Sequence, residues 1–383
     1  MDETDGPTPP HQGPLTDVAV LEVGGIGPTP FAGMLLADMG AEVLRVDRSP
    51  RETEAPPSDP TRRGRQSIAL DLKSPAGREA LLGLSERADA LIEGFRPGVM
   101  ERLGLGPDDL RARNRRLVYG RMTGYGQDGP MSQVAGHDIN YISLAGVLGA
   151  SRRTGERPMF AMNLVGDYGG GAMFLAFGVV CGILEARHSG EGQTVDAAMV
   201  DGAALLTSLV YALHGVGLWN GGPGANLLDS GAHFYEVYAT ADGGHVAVGA
   251  LEPQFYARLL ELLELPAAEM PQFETARWPE FKQRMAVVFA GRDTFAWREL
   301  LESEDACATV VPDVFEAPDH PHMAARRSFV DVGGVRQPGP APRFSRTVVT
   351  ARPAQADPDA ALGRWGLDAD ARARLRAAGA LLV

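Results

Sequence analysis

The chain is poor in cysteine, poor in lysine and short of positive charge. Two cysteines, Cys181 and Cys307, stand in 383 residues, too few for a disulfide framework or a cysteine-based metal site. Cys181 lies in the apolar run Met173 to Leu184, where burial is expected. Lys73 and Lys282 are the only lysines, and every other basic side chain is arginine. That bias fits a GC-rich coding sequence, and arginine also suits phosphate recognition. The formal charge is -13, which argues against a nucleic-acid partner and leaves room for an anionic small ligand held by a local basic site. No uninterrupted apolar run reaches the ~20 residues of a membrane span. Met1 to Gly13 has neither the basic nor the apolar region of a signal peptide and reads as disordered. The final Ala-Leu-Leu-Val is not the peroxisomal address. The expected setting is cytosolic, with no membrane and no nucleic acid.

What is present is an ordinary globular composition, 44% hydrophobic and 22% charged, long enough for two domains. The short apolar run Val18 to Val23 reads as a buried strand, and Glu42 to Asp47, Ser67 to Leu72, Ala90 to Glu93 and Leu117 to Met122 as four more. Helices are expected at Thr29 to Met39, Ser74 to about Ala88, Gly169 to Leu184 and Ala197 to Leu213. Repeated strand-helix units imply a doubly wound parallel sheet. The Gly- and Asn-rich stretch 215–232 reads as a linker or long loop. Beyond it, strands at His233 to Ala239 and His245 to Ala250 and a helix at Pro253 to Leu265 suggest a smaller α+β domain. The expected division is a large α/β domain at 14–214, a linker at 215–232, a small domain at 233–320, and a return segment with a helical tail of the large domain at 321–383.

Several motifs bear on chemistry. Gly24-Gly25-Ile26-Gly27-Pro28-Thr29-Pro30 follows a strand and precedes a helix, as a dinucleotide loop does. Pro30 stands where that fingerprint needs Gly or Ala, so the loop reads as a tight turn. Arg45, Arg48, Arg51, Arg62, Arg63 and Arg65 form a basic stretch, and Arg96 and Arg102 follow the fourth strand. Converging arginines suit phosphates, but Glu52, Glu54 and Asp59 intervene, and a solvated loop fits equally well. His137 and Asp138 in Gly-His-Asp-Ile-Asn-Tyr, and Asp167 in Asn-Leu-Val-Gly-Asp-Tyr-Gly-Gly-Gly, offer an acid/base pair beside glycines. Glycines 169–171 allow backbone N–H groups to approach a substrate oxygen. Singly, each acid is equally readable as a helix cap. His188, His233, His320 and His322 lack metal-ligand spacing, and His320-Pro321-His322 reads as a loop.

Taken together these segments resemble the alpha-methylacyl-CoA racemases, a branch of the family III CoA-transferase (CaiB-BaiF) superfamily. The resemblance rests on Met-Gly-Ala-Glu-Val-Leu-Arg-Val-Asp-Arg at 39–48, Glu-Gly-Phe-Arg-Pro-Gly-Val at 93–99, Arg-Met-Thr-Gly-Tyr-Gly-Gln-Asp-Gly-Pro at 121–130, Gly-His-Asp-Ile-Asn-Tyr at 136–141, 163–171, and Leu-Glu-Pro-Gln-Phe-Tyr at 251–256. It covers residues 13 to about 347. It implies His137 and Asp167 as the acid/base pair, with Glu252 as the partner of His137. It places Arg48, Arg63, Arg96 and Arg102 at coenzyme A phosphates, and Asp138 and Tyr141 in the active-site segment. It implies an interlocked homodimer with shared sites, and an acyl-CoA substrate with no metal or separate cofactor. The His137 segment separates racemases from transferases of this fold, which generally lack that histidine. Gly64 and Gln66 interrupt a usually more basic stretch, and Ala145 replaces a frequent Ser or Asn. The alternative activity is CoA transfer with Asp167 as nucleophile; a third reading is a silent acyl-CoA-binding protein.

Overall fold

The computed structural model describes residues 12–50, 59–354 and 357–382. Arg51 and most of the segment Met1 to Gly13 lie outside them. The chain divides into two compact units. The first comprises residues 1–145, 162–205 and 321–383, and the second residues 146–161 and 206–320.

The first unit is built on six parallel strands: β1 (Ala19–Val23), β2 (Glu42–Asp47), β3 (Gln66–Ala69), β4 (Ala90–Glu93), β5 (Val118–Thr123) and β6 (Thr194–Ala198). Their order is β3-β2-β1-β4-β5-β6. The inner strands are buried nearly throughout because helices cover both faces. Val20, Ile92 and Val118 pack into one core, while their chain neighbours Leu21, Leu91 and Tyr119 pack into the other. Helix Met173–Ser189 presses Leu175 and Val179 onto β5 at Gly120, where a Cβ would come within 2.8 Å of the Leu175 side chain. The tail returns to this unit: Leu362, Trp365 and Leu381 complete one core, and Asp71 N donates to Ala380 O at 2.9 Å.

The second unit is an antiparallel sheet of β7 (Tyr235–Ala239), β8 (His245–Gly249) and β9 (Ala308–Val310). Helices Pro253–Leu262, Trp278–Phe289 and Thr294–Leu301 bury Tyr256, Phe281, Phe289 and Trp297 in its core. Residues 146–161 and 206–214, expected in the large domain, belong here. Arg153 pairs with Glu236 on β7 at 2.8 Å, and Thr154 Oγ1 donates to Gly224 O at 3.0 Å. The stretch 215–232 is not a free linker. Asp229 accepts the backbone N–H groups of Gly224 and Asn226, and Asn226 Oδ1 accepts that of Gly221, which folds the stretch onto itself.

Four further expectations are corrected. Residues 197–198 end strand β6 rather than begin a helix; its Thr194-Val195-Asp196 start, half exposed at the sheet edge, has no apolar run to announce it. Cys181 is exposed, on the far side of its helix from buried Val179 and Ile183. Pro321 opens a short helix, Pro321–Ala325, where a loop was expected, because proline suits a first helical turn. Helix Gly169 to Leu184 in fact begins five residues earlier, at Leu164, and runs to Ser189. By length and apolar composition that whole helix is long enough to cross a membrane, yet Leu175, Val179, Ile183 and Ala186 bury one side of it in the core of the unit.

Candidate active site

In an open parallel sheet the ligand crevice forms at the carboxyl ends of the strands, where the strand order reverses. Here that point lies between β1 and β4. The chain leaves β1 through Gly24, Gly25 and Gly27, all with positive φ (56°, 94° and 67°), values that favour glycine. It leaves β4 through Gly94, Phe95 and Arg96. Two clefts open on these turns. One, of about 390 Å³, includes Arg96, Tyr125, His137, Tyr141 and Asp167 in its wall. The other, of about 540 Å³, includes Arg45, Asp47, Arg48 and Arg62. Ile26, Gly27, Gly94 and Phe95 line both.

His137 occupies the position before helix Asp138–Leu144 and is exposed, its backbone N–H bound to Asn140 Oδ1 at 3.1 Å. Asp138 points the other way and is buried. Its Oδ2 accepts the backbone N–H groups of Gly166 (2.6 Å) and Asp167 (2.7 Å). Those two donors are therefore engaged by protein. Gly170 and Gly171, expected to face a substrate oxygen, are buried instead: a Cβ on Gly170 would meet the Ala203 backbone at 2.5 Å, and one on Gly171 would meet Met199 at 2.7 Å.

Asp167 sits within a stretch of wide, π-type turns, Leu164–Ala172, in which Tyr168 N reaches back to Asn163 O at 3.4 Å. Such turns recur at functional sites. Phe31 stacks on Tyr168 at 4.1 Å and fixes the stretch against helix Pro28–Asp38. Asn163 Nδ2 donates to Asp167 Oδ2 at 3.3 Å. Burial lifts the Asp167 carboxyl above the ordinary aspartate range against this hydrogen bond; the Asp138 charge adds to the rise and His137 opposes it. Tyr141 donates its hydroxyl to Gly136 O and packs edge-on against Tyr125 at 4.9 Å. Burial pushes its pKa up to about 12, so it remains a neutral donor.

The arginines part company. Arg48 lines the larger cleft and Arg96 the smaller. Arg102 ends the short helix Val99–Arg102, exposed and outside the walls of both. Arg63 is not placed for phosphate. It is buried, with Nε and Nη2 on Asp38 (3.0 and 2.5 Å) and Nη1 on Gln337 Oε1 (2.9 Å) and Pro338 O (2.5 Å). Arg45 and Arg65 are likewise buried, both on Glu22. The basic stretch is thus neither one phosphate cradle nor one solvated loop; alternate members face inward because β2 and the Arg63–Gln66 segment are covered. Glu252 stands in the second unit, exposed, just before helix Pro253–Leu262. Its carboxylate makes no cap hydrogen bond, and its charge helps burial raise the Cys307 thiol pKa. Among the described residues no group of three or more His, Cys, Asp or Glu is placed to hold a metal. Sequence reasoning gave Asn163 and Thr29 no role although both stand inside the quoted glycine-rich motifs, since an uncharged side chain there acquires a function only from the partners the fold brings to it.

Comparison with known proteins matches the chain to "CoA-transferase family III" over residues 15–361. The chain belongs to that family. It is 46% identical over 335 residues to an alpha-methylacyl-CoA racemase of Mus musculus, covering 87% of each. It is 43% identical over 317 residues to the Homo sapiens protein of the same name, covering 82% of each. The crystal structure of Rv3272 from M. tuberculosis resembles it with a TM-score of 0.74 at 28% identity, over 90% of this chain and 97% of that one.

Proposed function

We propose that the protein is an acyl-CoA racemase, an isomerase that interconverts the 2R and 2S forms of 2-methylacyl-CoA thioesters. The observation that carries this is the placement of His137 and Asp167 in one cleft, joined at Ile26, Gly27, Gly94 and Phe95 to a second cleft with arginines. The kinship with two racemases supports it. The α-proton of a thioester is weakly acidic, and its removal leaves an enolate. One of the two groups takes the proton from one face and the other returns a proton to the opposite face, so the centre inverts. A raised Asp167 pKa brings that carboxylate nearer the strength the proton transfer needs.

In this reading Arg48 and Arg96 bind the phosphates and Arg102 joins them. Coenzyme A enters only as part of the substrate. Asp138 and Tyr141 support the site: Asp138 fixes the backbone of Asp167, and Tyr141 fixes the turn before His137. Glu252 is assigned as the partner of His137 across two copies of the chain, in line with the resemblance. Mixing inactive His137→Ala and Glu252→Ala chains should then restore part of the activity; no recovery would argue against shared sites.

The test of the reaction is incubation of a pure 2R or 2S 2-methylacyl-CoA in deuterated water. Configurational change with deuterium at the α-carbon is expected. Neither, across several acyl chains, would overturn the reading. Exchange of CoA that requires a carboxylic acid acceptor, with a covalent adduct on Asp167, would instead favour transfer.

A further inference from the structure

Thr29 lies in the first turn of helix Pro28–Asp38 and is 1% exposed. Its hydroxyl has no hydrogen-bond partner. A buried hydroxyl without a partner costs free energy and calls for an explanation. Its position supplies one. Thr29 lines the acid/base cleft, and the next residue, Pro30, lines the larger cleft. The hydroxyl stands against Gly94, which is exposed and shared by both clefts; a Cβ on Gly94 would collide with Oγ1. Across the turn, a Cβ on Gly25 would meet Thr29 Cβ at 3.3 Å. The absent side chains of Gly25 and Gly94 leave the Thr29 hydroxyl, covered but unpartnered, directly behind a glycine that both clefts share. Among the described residues, the only side chains shared by the two clefts are those of Ile26, 83% exposed, and Phe95, both uncharged.

We propose that the Thr29 hydroxyl is a substrate-positioning group that hydrogen-bonds an amide of the pantetheine arm where the arm passes between the clefts. The inference rests on the acyl-CoA reading above. The crossing has small and apolar walls, which suit an uncharged chain and not a phosphate. A hydroxyl can donate to an amide carbonyl or accept from an amide N–H, so it serves the arm whichever edge is presented.

Thr29→Val keeps the shape and removes the hydroxyl, and Thr29→Ser keeps the hydroxyl. The valine variant should raise KM for acyl-CoA by about 3- to 10-fold, the worth of one neutral hydrogen bond, with kcat little changed. The serine variant should stay near the parent. Because the hydroxyl is unpartnered in the free protein, Thr29→Val should leave Tm unchanged or raise it, whereas a structural hydroxyl would lower it on removal. The KM effect should persist on acyl-pantetheine and vanish on the simple ethyl thioester, which has no amide. An unchanged KM in Thr29→Val, equal losses in the valine and serine variants, or a loss that persists on the ethyl thioester would each overturn the proposal. A parent protein that exchanges no α-proton would remove the acyl-CoA reading itself; an active parent with an unaffected valine variant would remove only the role of Thr29.

Discussion

Asp138 Oδ2 accepts the backbone N–H of Asp167 at 2.7 Å, and that of Gly166 at 2.6 Å through the same oxygen. Two acids read from separate motifs are therefore parts of one device: the buried one fixes the backbone from which the other works. Gly166 is required by the same contact, since a Cβ there would come within 2.7 Å of Asp138 Oδ2.

Replacing Asp138 tests this tie. Asp138→Ala leaves two N–H groups without their acceptor, at a cost of about 1–3 kcal/mol, and should also slow α-proton exchange because Asp167 loses its anchor. Asp138→Asn should be milder. Its amide oxygen can still accept both N–H groups, while its NH2 takes the place of Oδ1, which is buried without a partner. Thermal unfolding and exchange rates on the same preparations check both; equal damage from Ala and Asn would show that the charge, not the acceptor, matters.

The arginines divide into two kinds that mutation should separate. Arg63→Ala leaves the buried Asp38 carboxylate without its bidentate partner, so unfolding stability should fall by about 3–5 kcal/mol. Arg96→Ala removes an exposed side chain from the cleft wall. It should leave Tm nearly unchanged and raise KM, with kcat falling less, and the effect should shrink on pantetheine thioesters that lack the nucleotide. Equal KM effects on both substrate types would remove Arg96 from the phosphate site.

Much of the first unit was legible because short strand segments rich in Val, Leu and Ile alternate with helix signals: β2 and β4 lie where the sequence put them, and β1 within a residue. What the sequence hid depended on distant partners. Nothing local marks Arg153 as tied to Glu236, 83 residues away, or Arg63 as tied to Asp38 and Gln337. His137 and Asp167 could be paired through their motifs, whereas Thr29 acquires meaning only from the folded turns around Gly25 and Gly94.

Glu93 ends β4 just before the shared turn, and its Oε2 accepts Phe95 N at 2.6 Å. Burial pushes its pKa up to about 7, against the Phe95 hydrogen bond and Arg121. An unfolded glutamate titrates near 4.3. Between these values the folded protein binds more protons than the unfolded chain, so Glu93 stabilises most at low pH and its contribution falls as pH rises to about 7. Glu93→Gln imitates the protonated form and keeps an acceptor for Phe95. It should flatten this slope and be more stable than the parent at pH 8, by on the order of 1–3 kcal/mol. Urea unfolding at pH 5 and pH 8 reads the difference, and an identical slope in both proteins would exclude Glu93 as its source.

If His137 and Asp167 each serve one face, their losses should be complementary. Racemisation needs a proton taken on one face and given on the other, but exchange with solvent needs only one base. His137→Ala should therefore abolish racemisation while exchange survives from one enantiomer, and Asp167→Ala should spare the opposite one. The enantiomer deprotonated by Asp167 should lose rate on acidification, with a midpoint above the ~3.9 of a free aspartate, because burial raises this carboxyl. Asn163 works against that rise by donating to Asp167 Oδ2. Asn163→Ala removes a hydrogen bond that favours the charged form, so the midpoint should move higher still, and only for that enantiomer. Exchange rates for each enantiomer against pH in the parent and the Asn163→Ala variant measure this. A midpoint that moves downward, or moves for both enantiomers alike, would show that Asp167 is not the base on that face.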